Sequence, residues 1–205
     1  MTEVGFSDST MISEVIQMTR STNNRTYRIC CVGLMIAVTF VANYIQIPFL
    51  ASRIHIGNAF CVLSGMLLGP VLGFLTAGLG NGLFDLMNGW AVECWVTFIT
   101  KGCIALVSAL VIGRALHGSK LEKKDQLRLW LAAAAGALVY VVLYLMKCWL
   151  IDPILYAFPR EQIGLIIAGK LIPSLLNAAF AILAAPILMN ALYIPLHRLG
   201  ILKRN

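Results

Sequence analysis

The sequence predicts an all-α membrane protein, a six-transmembrane-helix bundle with both the N- and C-termini cytoplasmic. Three observations carry that prediction. Of the 205 residues, 60% are hydrophobic and 12% charged, whereas a soluble domain carries roughly 25% charged residues; mean hydropathy is +0.84. Apolar runs recur along the chain at roughly 20 residues each, the length at which a helix crosses a bilayer. Basic residues gather on alternate connections, as the positive-inside rule requires of a multi-pass chain.

The elements follow in order. Residues 1–28 are polar and mixed in charge. They lack the basic start, apolar stretch and small-residue cleavage site of a secretory signal. They read as a cytoplasmic tail or as a surface helix with Met11, Ile12, Val15, Ile16 and Met18 partly on one face. Residues 29–198 form the transmembrane domain and 199–205 a cytoplasmic C-terminal tail. Span one is expected over 29–50 and span two over 55–69. Gly69-Pro70 breaks the chain, because proline lacks a donor and restricts the residue before it. Span three then runs to about Met87, span four over 95–115 and span five over 129–151. Span six starts near 163 and reaches 195, with Pro173, Pro186 and Pro195 expected to kink it or to split off a tail.

On this layout eleven of the sixteen Lys and Arg residues fall on one face, and only Arg53 and Arg160 on the other. The net charge of +7 therefore reports orientation. A nucleic-acid partner would need a soluble basic surface, which this layout does not provide. The six cysteines lie almost all within apolar runs without a CxxC spacing and read as small buried hydrophobes; no metal and no cofactor are expected.

Ionisable groups inside a membrane are costly and mark function. Asp85, Glu93 and Lys101 cluster about the connection between spans three and four, beside Trp90 and Trp95. Arg53 and His55 lie on the first external loop, Asp152 and Arg160 on the third. Lys147 sits in span five, Asn177 deep in span six, and Tyr140 and Tyr144 share a helical face. Together they describe one polar and aromatic mouth able to take a flat heterocycle. Alternative roles stay open for each: interface-belt aromatics, headgroup contacts for Arg53, a buried pair of Lys101 with Asp85 or Glu93, helix-to-helix bonding by Asn177. The glycines at four-residue spacing (Gly65, Gly69, Gly73; Gly78, Gly82) let helices approach closely, within the bundle or against a partner.

The ordered set "RIHIGNAFCVLSGMLLGPVLGFLTAGLGNGLFDLMNGW" and "WVTFITKGCIALVSALVIG" resembles the substrate-binding S component of energy-coupling factor (ECF) vitamin transporters. The resemblance covers residues 30–115 well and the rest by span count. It implies a protein without chemistry of its own. Such a protein binds a vitamin or vitamin precursor outside (a flavin, pyrimidine, thiazole or pyridoxine-like heterocycle) and works with a membrane scaffold subunit and two cytoplasmic ATPases. It implies that Gly33 and Ala37 contact the scaffold, and that Asn58 stands where relatives often carry an acidic residue. The chain has no Walker A motif, so ATP energy must come from partners. A membrane enzyme is disfavoured because His55, His117 and His197 fall on opposite faces of the expected layout. A stand-alone proton-coupled secondary transporter using Asp85 or Glu93 is the alternative.

Overall fold

The computed structural model describes residues 26–50, 52–113 and 121–198. Seven helices and one hairpin follow in order: α1 (Thr26–Ala42), β1 (Gln46–Phe49), β2 (Ser52–His55), α2 (Gly57–Leu68), α3 (Pro70–Met87), α4 (Cys94–Ile112), α5 (Lys123–Leu150), the short α6 (Asp152–Tyr156) and α7 (Ile163–Arg198). Among the described residues four stretches are long and apolar enough to cross a membrane: 70–87, 91–112, 123–156 and 163–196; α1 and α2 are shorter apolar helices. The expected tails, residues 1–25 and 199–205, lie outside the described residues.

The helix starts have local causes. Gly69 adopts φ 83° and ψ −174°, a conformation closed to residues with a Cβ. Pro70 follows at the first position of α3, where its missing N–H is no loss. At the start of α5, Asp125 accepts from the Glu122 N–H at 3.0 Å, one half of a capping box.

The structure corrects the sequence at span one. Its helix ends at Ala42, and the segment expected to complete it forms an antiparallel hairpin pairing Gln46 with His55 and Pro48 with Arg53. Ile45, Ile47, Phe49 and Leu50 made the segment look like continuing span, but Pro48 cannot join a helix interior without removing a hydrogen bond. Residues 163–198, by contrast, form one helix through all three prolines.

α2 is the hub. It packs against α3, α4, α5 and α7, and ten of its twelve residues are buried. A helix surrounded by protein needs no lipid-facing side chains, so glycine is tolerated there. A Cβ on Gly65 would land on the Ala105 backbone of α4, and one on Gly73 would stand 2.8 Å from Gly65 Cα. These glycines serve packing inside the bundle. Gly33 differs: a Cβ there meets nothing within 4 Å.

Candidate ligand-binding site

The connections α1–α2, α3–α4 and α5–α7 meet at one end of the bundle around a cavity of about 410 Å³, inside the roughly 300–1,000 Å³ range of small-molecule pockets. The hairpin gives it Ser52, Arg53 and His55; α3 gives Asn81, Phe84 and Asp85; Trp90 and Glu93 come from the turn before α4. Thr97, Thr100 and Lys101 come from α4, Tyr140, Tyr144 and Lys147 from α5, and Lys170 from α7.

Arg53 crosses one wall. Its guanidinium lies 5.1 Å from the Trp90 ring centre and 5.7 Å from that of Phe84. It approaches Asp85 at 4.0 Å and donates to Gln46 at 3.1 Å. The strand that carries it is held to α7 by Asn177, whose amide accepts from the His55 backbone N–H at 2.8 Å and donates to the Arg53 carbonyl at 2.9 Å. A planar amide supplies both a donor and an acceptor, so one side chain fixes two consecutive backbone polar groups of the strand.

His55 Nδ1 accepts from the Gly57 N–H at 3.2 Å, which places the ring proton on Nε2. Burial, then the charges of Lys101 and Arg53, hold its pKa well below the usual imidazole range. His55 is therefore a neutral donor in the cavity.

The opposite wall is an ionic chain. Lys147 donates to Glu93 at 2.6 Å and to Asp152 at 2.8 Å; Lys170 meets the other Asp152 oxygen at 2.8 Å. The Tyr156 hydroxyl donates to Glu93. The chain thus joins α5, α6, α7 and the turn before α4. On the floor, Lys101 donates to the Asn58 carbonyl oxygen at 2.5 Å and stands 4.9 Å from the Tyr140 ring centre. Tyr140 and Tyr144 stack with centres 5.6 Å apart, and the Tyr144 hydroxyl is 2.9 Å from Ser52 Oγ.

Of the residues expected at the mouth, Arg53, His55, Asp85, Trp90, Glu93, Lys101, Tyr140, Tyr144 and Lys147 line this one cavity. Trp95 does not; it is 53% exposed, because α4 turns Val96, Thr97, Thr100 and Lys101 inward and leaves Trp95 on its outer side. Asn58 lies beneath the floor, holding Lys101. Asn177 clamps the hairpin and is not part of the lining. Lys147 pairs with Asp152, five residues on, because α5 ends at Leu150 and the chain turns there. The sequence reading missed Asn81, Thr97, Thr100 and Lys170. Asn81 and Lys170 carried a usable signal, a polar group within an apolar span.

Comparison with known proteins adds to this geometry. The family model for the S component of ECF-type riboflavin transporters matches residues 23–194. A UPF0397 protein of Vibrio atlanticus (strain LGP32) is 34% identical over 122 residues, 56% of this chain and 64% of that relative, so the match spans less than two thirds of its length. A solved structure, of the S component of a bacterial ECF transporter, has the same fold with TM-score 0.50 at 19% identity, over 88% of this chain and 99% of the other. Apolar helices, an S-component fold and a family match over most of the sequence agree: the chain is an integral membrane protein, not an enzyme, and belongs to the family of ECF-type transporter S components.

Proposed function

We propose that this chain captures a vitamin or vitamin precursor at the outer membrane face and delivers it inward together with an ECF scaffold subunit and two cytoplasmic ATPases. The protein then has six spans, α1 to α5 and α7, with both termini in the cytoplasm. Arg28 at the start of α1 and Lys123, Lys124 and Arg128 in the first turns of α5, at the helix ends away from the cavity, support that orientation. The observation that carries the proposal is the cavity itself: the α1–α2 hairpin, the α3–α4 connection and the ends of α3, α4, α5 and α7 contribute to a single pocket with aromatic rings and converging polar and charged groups. The ligand is a heterocycle of the flavin, pyrimidine, thiazole or pyridoxine-like class; the matched family is named for riboflavin.

The test is mass spectrometry of small molecules released on denaturing the chain purified without partners. A heterocycle of this class is expected. Trp90→Ala, which strips one ring from Arg53, should weaken its binding roughly tenfold while leaving the protein folded. Undiminished ligand retention in that variant would remove Trp90 from the site. Ligand uptake into liposomes by the chain alone would overturn the partner-dependent mechanism in favour of a stand-alone carrier.

The scaffold contact is proposed at Gly33 and Ala37. Both are exposed on α1, and the open space over Gly33 suits close approach of a partner helix. Gly33→Leu is expected to keep ligand binding and to lose co-purification with the scaffold subunit. Normal assembly and transport by that variant would sink this contact.

A further inference from the structure

The ionic groups of the cavity fall into two halves that are balanced differently. On the α5–α7 side, two cations, Lys147 and Lys170, meet two carboxylates, Glu93 and Asp152, all within ion-pair distance. On the other side, Arg53 and Lys101 have one carboxylate between them. Asp85 stands 4.0 Å from Arg53 and acts on Lys101 only from farther off. Among the described residues no carboxylate lies within ion-pair distance of Lys101, which is 9% exposed. Its partners are the neutral Asn58 carbonyl and the face of Tyr140. The Asn58 position, which supplies that partner, carries no charge. The neighbouring His55 is also neutral. A cation so deep in a membrane protein needs a counter-charge, and the open side of Lys101 is the cavity.

Resting on the reading of this cavity as the ligand site, we infer that the ligand carries one negative charge, a carboxylate or an ionised ring acid, and that Lys101 receives it. The Tyr140–Tyr144 stack beside Lys101 takes the flat part of the same molecule. Riboflavin, whose ring imide stays protonated at neutral pH, leaves Lys101 unmatched, so this chain selects a different member of the heterocycle class.

The experiment compares matched pairs. Pyridine-, pyrimidine- and thiazole-carboxylates and their carboxamides, with riboflavin as a neutral flavin, are titrated against the purified full chain in detergent, reading the thermal midpoint. At least one acid is expected to bind tenfold or more tightly than its amide. Lys101→Gln should erase that ratio without lowering the midpoint of the ligand-free protein, and Lys101→Arg should keep it. If Lys101→Gln does not fold, the wild-type ratio and Lys101→Arg still decide. Equal or tighter binding of an amide or of riboflavin overturns the inference and leaves the cavity as a ligand site. An acid preference that survives Lys101→Gln also overturns it. No saturable shift with any compound overturns both the inference and the site.

Discussion

Asp152→Ala is expected to destabilise the protein by about 3–5 kcal/mol, the usual consequence of removing one partner from a buried ion pair. Asp152 is 1% exposed and divides its two oxygens between Lys147 and Lys170. Its removal strands Lys170 without a carboxylate and leaves Lys147 only Glu93. The three elements it joins, α5, α6 and α7, then lose their common tie at the mouth. Reversible unfolding in mixed detergent measures the change. Adding Lys170→Met to Asp152→Ala should recover much of the loss, because an apolar side chain has no charge to bury. A loss under 1 kcal/mol for Asp152→Ala would mean that water, rather than Asp152, compensates these lysines.

Gly65→Ala should cost about 3 kcal/mol, at the upper end for overpacking. The added methyl meets the Ala105 backbone of α4, and α3 presses on the same turn of α2 through Gly73. Backbone atoms of a helix cannot swing aside as a side chain can, so the hub would have to part from α3 or α4. The measurement is again the unfolding midpoint, with Gly33→Ala as the control, since its added methyl meets open space. If the two variants melt alike, close packing around α2 is not what holds the bundle.

Much of the fold was readable because lipid imposes simple demands. Every backbone group in a span must be bonded within its own helix, so apolar length and the Gly69-Pro70 break locate α3 to the residue. The polar mouth was readable for a related reason: charged residues such as Asp85, Lys101 and Lys147 are scarce enough in spans to announce themselves. What stayed hidden depends on distant partners. The hairpin is two strands of four residues, each too short to show an alternation, and it is held by an amide more than 120 positions away in sequence. Nothing local to Asn177 tells whether it meets a helix, a ligand or a strand. Trp95 failed on rotation: aromatic composition places a residue near the interface, but not on one side of a helix rather than the other. The pairing of Lys147 with Asp152 was not legible, because residues five apart do not share a face on a continuous helix and α5 stops between the two.

The uneven lengths of the helices have a consequence for the lipid around them. Along α3 the exposed apolar side chains run from Val71 to Met87, and along α7 from Leu165 to Ile194. At the α-helical rise these belts are about 24 Å and about 44 Å tall, against a hydrocarbon thickness of about 30 Å. α3 and α7 both flank α2, on different sides of it. No flat bilayer of one thickness can match both flanks, so the lipid beside α3 is compressed or the whole body leans. A molecule built this way meets lipid of different depth on its two flanks, so the bilayer beside it cannot be uniform in thickness.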